Sequence, residues 1–260
     1  MKSIKTYMLI GLSGFLSYAG TAQSELFDDA IVYNRQLYGG VQIHSNGFGL
    51  TGTYGRNKGA YNVWLYGLDI IFMKHEKETK SWNPFYSTDA RSYLYGKTNN
   101  FYILRPSFGK KKIITEKIRR GGVQVGYNWQ FGPSLGFTKP VYLEIGYPDP
   151  PSYEYIQVEK FDATKHYIDN IYGRASGLKG LDELKFYPGG FFKIAMNFEY
   201  ANYKEGLKGI EVGVAIDAYA NRIPIMSEEV LQLDADGAKN HQVFISLYLN
   251  FFFGKKYNQD

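Results

Sequence analysis

VQVGYNWQFGPSLGFTKPVYLEI, residues 123 to 145, alternates with a period of two over almost its whole length. Val123, Val125, Tyr127, Trp129, Phe131, Leu135, Phe137, Val141, Leu143 and Ile145 occupy odd positions, against Gln124, Gly126, Asn128, Gln130, Ser134 and Glu144 at even ones. That spacing belongs to a strand with one apolar face and one polar or small face. A two-residue hairpin pairs residue i with i+3 and would flip the parity of the apolar set. The parity never flips here. The stretch is therefore either one strand long enough to project past a membrane, or two strands broken at Pro133 or Pro140 with the phase preserved.

The same period recurs on both sides. Leu37, Val41 and Ile43 oppose Tyr38, Gln42 and His44, while Phe48, Leu50 and Tyr54 oppose Gly49, Thr51 and Thr53. Trp64, Tyr66, Leu68, Ile70 and Phe72 face away from Val63, Gly67 and Asp69, and Tyr102, Leu104 and Phe108 from Ile103, Arg105 and Ser107. Beyond residue 190, Phe192, Ile194, Met196, Phe198 and Tyr200 oppose Lys193, Asn197 and Glu199. Ile210, Val212, Val214 and Ile216 oppose Glu211 and Asp217, and Val243 to Phe253 carry their apolar residues at odd positions opposite Ser246, Tyr248 and Asn250.

Eight such segments fit a soluble β-sandwich or a transmembrane barrel, which invert one another's polarity. In the barrel the apolar and aromatic face meets lipid, and Gly, Ser, Asn, Gln and paired charges fill the lumen. Charges at mid-strand, aromatics toward strand ends and FFF at 251 to 253 favour the barrel. The links support it too. RNKG, KKKIITEKIRR and NYKEG are short or moderate, whereas those starting near Lys74, Tyr147 and Arg222 are long. The fold expected is all-β, a transmembrane antiparallel up-and-down barrel of 8 strands with long extracellular loops. Ten strands is the alternative, if the long fifth segment folds back and 153 to 161 pairs.

The first residues give a compartment. Lys2 and Lys5 precede an apolar run from Met8 to Ala19, and Gly20-Thr21-Ala22 offers a cleavage site, so 1–22 reads as a signal peptide. The expected layout continues with a periplasmic segment at 23–35, the barrel at 36–254 and a short tail at 255–260, in the outer membrane. The absence of cysteine leaves stability to burial and closure rather than to disulfides. A mean hydropathy of -0.33 and the lack of any later apolar run near 18 residues exclude a helical membrane protein but not a barrel, whose strands average out as polar.

Few residues offer chemistry. His44-Ser45-Asn46 is similar to the His-x-Ser-Asn motif of outer-membrane lipid A deacylases, but there the His and Ser lie two apart on one face. Here they are adjacent and point to opposite faces, and Asn46-Gly47 is a strong hairpin signal. A turn is expected, with no catalytic residue, cofactor or metal. Asp69, Arg105, Gln124, Asn128, Glu144, Lys193, Glu199, Glu211 and Asp217 form the expected lumen set, read as a pairing network because a barrel of eight strands is filled by its own side chains. Lys110, Lys111, Lys112, Lys117, Arg119 and Arg120 form a basic turn suited to anionic headgroups or an acidic protein face. The 147 to 190 link, opening with PDPP, has helical spacing at Ile168, Ile171 and Tyr172 and again from Leu178 to Leu184. A link this long is expected to pack as a cap or to dock.

YLYGKTNNFYILRPSFGKKK (93 to 112), RRGGVQVGYNWQFGPSLGFTKPVYLEI (119 to 145) and IYGRASGLKGLDELKFYPGG (171 to 190) together resemble a family of Bacteroidota outer-membrane β-barrel proteins. Its members share N-N-F-Y-x-L-R, S-L-G-x-x-K-P-V-Y-L-E and a G-R-A…K-G-L-x-E-L-K…P-G block. The resemblance implies a barrel in the outer membrane and carries over no catalytic residue. The function expected is non-enzymatic: an accessory or structural subunit of an envelope complex for outer-membrane protein assembly or secretion. Its partners would be outer-membrane lipids and a protein, not nucleic acid. A lipid-modifying barrel enzyme and a narrow channel are the alternatives.

Overall fold

The computed structural model describes residues 33–86, 90–115, 122–148, 153–200, 206–232 and 239–258. The expected signal peptide and nearly all of the 23–35 segment lie outside them. The chain forms β1 (Arg35–His44), β2 (Gly47–Asn57), β3 (Asn62–Met73), β4 (Lys80–Ser81), β5 (Tyr93–Leu94), β6 (Asn99–Thr115) and β7 (Val123–Pro140). β8 (Tyr142–Tyr147), β9 (Tyr155–Lys160), β10 (Ile171–Arg174), β11 (Lys185–Tyr200), β12 (Gly206–Tyr219), the short helix α1 (Glu228–Gln232) and β13 (Val243–Tyr257) complete it.

Eight strands close an antiparallel barrel in the order β1-β13-β12-β11-β7-β6-β3-β2. Every wall strand neighbours the wall strands before and after it in the chain, and β1 meets β13 from Arg35↔Tyr257 to His44↔Tyr248. The wall thus runs slightly beyond 36–254, and the tail residues 255 to 257 belong to β13.

The polarity is inverted relative to a soluble core. Ile245 and Leu247 are 63% and 66% exposed, whereas Asp69, Glu199 and Asp217 are 0% exposed inside. Leu37, Val41, Phe48, Leu68, Ile70, Phe131, Phe192, Ile194 and Val212 continue the outer apolar surface around the wall. Aromatic pairs brace it, with Phe48 stacked on Phe72 at 4.8 Å and Trp64 on Phe108 at 5.1 Å. Close wall contacts rely on glycine. A Cβ at Gly109 would lie 2.0 Å from the Trp129 carbonyl oxygen, so only hydrogen fits there.

The 123 to 145 segment divides at its second proline. β7 ends at Pro140, which has no N–H to extend the ladder, and β8 departs into a separate three-stranded sheet, β10-β8-β9. Parity survives the break while the environment reverses: Phe131 faces outward at 47% exposure, but Leu143 and Ile145 are buried beside Tyr93, Phe161 and Ile171. Residues 155 to 160 do pair, but with β8 rather than with the wall, so the barrel keeps eight strands. The helical spacing at 168 to 172 is overridden because Ile171 and Gly173 pair with β8, whereas 181 to 183 forms one 3-10 turn.

An apolar cluster lies at each end of the lumen. On the long-link side, Ile71, Met73, Phe101, Ile103, Tyr219 and Phe244 from the wall pack against Ile223, Ile225, Met226 and Leu231 of the β12–β13 link. Asn240 fastens that link, accepting from the Ile225 and Met226 N–H groups at 3.0 and 3.1 Å and donating to the Met226 carbonyl. On the short-turn side Tyr38, Leu207 and Phe252 form the second cluster.

Candidate functional site

Three arrangements bear on function: the lumen, the His44 turn and a cleft at the rim. In the lumen, inward positions on β3, β6, β7, β11, β12 and β13 bring charges together from strands distant in sequence. Arg105 grips Asp217 with two nitrogens, Nε donating to Oδ1 at 2.8 Å and a terminal nitrogen to Oδ2. Ser134 Oγ donates to the same Oδ1 at 2.8 Å and shares a 2.7 Å hydrogen bond with the Tyr219 hydroxyl. Lys193 Nζ donates to Asp69 Oδ2 at 2.6 Å. Glu199 accepts from Lys256 at 2.6 Å and Lys111 at 3.5 Å.

Glu211 is held instead by neutral donors, Asn128 at 2.8 Å, Tyr248 at 2.8 Å and Asn197 at 3.4 Å. Arg105, Lys111, Lys193 and Lys256 therefore balance Asp69, Glu199, Glu211 and Asp217. An ion removed from water at this depth requires such a partner. Among the described residues the interior thus sets four cations against four carboxylates.

Four residues leave their expected places. Glu144 lies in β8, half-exposed and outside the barrel, because the break at Pro140 takes it out of the wall. Lys110, Lys111 and Lys112 belong to β6, since pairing with β3 and β7 continues through them. Alternation then separates them. Lys111 turns into the lumen toward Glu199, while Lys112 is exposed and Lys110 Nζ lies 6.0 Å from the Trp64 ring. Lys117, Arg119 and Arg120 lie outside the described residues. Gln124 and Asn128 face inward as expected.

The histidine motif is a turn. His44 pairs with Gly47 across Ser45 and Asn46, one residue earlier than the Asn-Gly signal indicates. Gly47 has φ 146°, and a Cβ there would meet the Phe72 carbonyl oxygen at 2.0 Å. The His44 ring accepts from the Asn46 N–H at 3.3 Å through Nδ1, while Nε2 is buried without a hydrogen-bond partner. Ser45 donates its own N–H to the Leu247 carbonyl across the barrel edge.

The third arrangement escaped sequence reasoning. Between the β3–β6 link, the start of β8 and the end of β10, a cleft of about 410 Å³ opens at the rim. Lys74, Lys80, Lys97, Lys139 and Arg174 line it, against a single carboxylate, Glu78. Glu78 is consumed by Lys97 at 2.7 Å, both side chains nearly fully buried, and burial holds the Lys97 ammonium below its ordinary pKa while Glu78 offsets part of the effect. Lys139 is 4% exposed, and its Nζ donates to the Gly177 and Lys179 carbonyls, both at 2.9 Å. Among the described residues, Lys74, Lys80, Lys139 and Arg174 have no carboxylate within ion-pair distance.

Asn83 ties the β3–β6 link to the 147 to 190 link. It is fully buried, donates to Tyr153 Oη at 2.9 Å and the Ile171 carbonyl at 2.8 Å, and accepts from the Phe85 N–H at 2.8 Å. No local pattern announces the cleft, because its five cations come from four separate parts of the chain. No family model matches the chain, and no curated protein or solved structure is similar to it at a significant level.

Proposed function

We propose that this chain is a non-enzymatic outer-membrane barrel whose task is to hold a protein partner, as an accessory or structural subunit of an envelope complex for outer-membrane protein assembly or secretion. The apolar outer wall suits contact with lipid tails, since a soluble monomer rarely exposes apolar patches beyond a few hundred Å². The lumen, lined by ion pairs and with an apolar cluster at each end, suits a scaffold better than a channel.

The observation that carries the reading is β9. It hydrogen-bonds to β8 on one side, and its other edge is unpaired among the described residues. Tyr155, Ile156 and Val158 on it are exposed, with Tyr167 and Ile168 exposed in the same link. An exposed edge carrying apolar side chains is a template for strand addition by a partner, where main-chain hydrogen bonds give affinity and alternate side chains give selectivity.

Affinity purification of the tagged full chain from detergent-solubilised membranes tests this. A stoichiometric envelope partner is expected with the parent protein and is lost with Ile156→Lys combined with Val158→Lys, which place two charges on the edge. A parent chain that always elutes alone contradicts the reading.

A further inference from the structure

We propose that the rim cleft binds the phosphate of an anionic lipid headgroup. The cleft lies on the outside of the barrel wall. Lys139 shares its parity with Leu135 and Phe137, so it leaves the outer face of β7, and only the overhanging 177 to 179 backbone buries it. Tyr102, on the outer face of β6, belongs both to the cleft and to an outward aromatic row, meeting Phe72 edge-on at 5.2 Å. Phe48, opposite Phe72, extends that exposed row sideways, and Ile70 continues it down the wall. The cleft thus opens where the apolar wall ends, at the depth a headgroup phosphate occupies above acyl chains lying on Phe72 and Ile70.

The charge is built for an anion. Four cations without a carboxylate partner gather around one cleft, and a phosphate among them accepts from several donors at once. Arg174 offers a planar fork and Lys74 and Lys80 offer mobile point charges at the mouth. Lys139 has given two of its three N–H donors to carbonyls and keeps the third. Val141, Leu143 and Tyr142 supply an apolar and aromatic side to the same cleft. A volume of about 410 Å³ admits one headgroup rather than a polymer.

The chemistry recognised is a phosphate ester, and free phosphate shares it. The lipid source rests on the bilayer reading above; the charge argument does not. The test is equilibrium binding to the full chain in an uncharged detergent, with three probes: phosphatidic acid carrying a fluorescent tail, diacylglycerol with the same tail, and inorganic phosphate. Saturable binding of phosphatidic acid at one site is expected, with diacylglycerol not binding and inorganic phosphate competing roughly a hundredfold more weakly, for lack of the apolar contact.

Lys80→Gln with Arg174→Gln, both at the exposed mouth, should weaken phosphatidic acid by about tenfold or more, while Lys165→Gln in the exposed link has no effect. These mouth variants leave the buried Lys139 in place, so the test stands even where Lys139→Gln fails to fold. Unchanged affinity in the double variant overturns the proposal, as does diacylglycerol binding as well as the phosphorylated lipid. Inorganic phosphate matching the lipid in affinity rejects the lipid source and leaves the barrel and its partner test untouched.

Discussion

Glu199 lies between two lysines, 2.6 Å from Lys256 and 3.5 Å from Lys111, and itself has no exposed surface. Their contributions to stability should differ sharply. Removing Lys111 as Lys111→Met replaces a buried cation by an apolar side chain of similar length and leaves Glu199 its closer partner, so this is the smaller loss. Glu199→Gln leaves two cations without their carboxylate, and breaking a buried pair from one side costs about 3–5 kcal/mol. Urea unfolding in micelles, followed by Trp64 and Trp129 fluorescence, measures both; equal losses would show that the network is not organised around Glu199. Sequence parity placed Glu199, Asp69, Arg105, Lys193, Glu211 and Asp217 inside, because strand alternation is a local property. Lys111 was misplaced because a run of three lysines resembles a solvated turn, and only pairing with β3 and β7 shows that the strand continues through it.

Among the elements, the β3–β6 link holds the clearest pH-sensitive group. His75 Nδ1 accepts from the Lys77 N–H at 3.2 Å, and Nε2 lies 3.3 Å from the Lys239 carbonyl, so the neutral ring with its proton on Nε2 satisfies both contacts. Burial lowers its pKa from 6.5, with the neighbouring His241 adding to the effect and the Lys239 carbonyl, Glu76 and Glu78 opposing it. The unfolded link therefore binds a proton more readily than the folded one. The stability His75 lends is complete above the ordinary histidine value, declines as pH falls through it, and stops declining once the folded ring is protonated too. Limited proteolysis between residues 74 and 98 should accelerate from about pH 8 to about pH 5, and His75→Gln should flatten the change. A parent protein with a flat profile would contradict the assignment.

Those links are also where sequence reading stopped. The wall strands were legible because each repeats one two-residue rule many times, whereas β4, β5, β8, β9 and β10 are short and take their shape from contacts such as Asn83 with Ile171. The rim cleft is illegible for the same reason: Lys97, Lys139 and Arg174 each look ordinary in their own surroundings and become a site only when the links fold over β7.

For the molecule as a whole, the central claim is that the exposed apolar wall faces hydrocarbon while the charged network faces inward. Every wall strand is long enough for this placement: the shortest, β1, has 10 residues and the longest, β7, has 18, and a tilted strand of about 9–11 residues spans a bilayer core. The chain contains no cysteine, so single cysteines can carry a spin label without a background. Ile194→Cys and Leu247→Cys report on the outer face, with Lys165→Cys in the exposed link as the aqueous reference. The decisive measurement is the collision rate of each label with oxygen and with a polar nickel chelate, in protein reconstituted into liposomes. Labels at 194 and 247 should collide strongly with oxygen and scarcely with the chelate, the reverse of the label at 165. Free access of the chelate to 194 and 247 would mean that the wall meets water, contradicting the account.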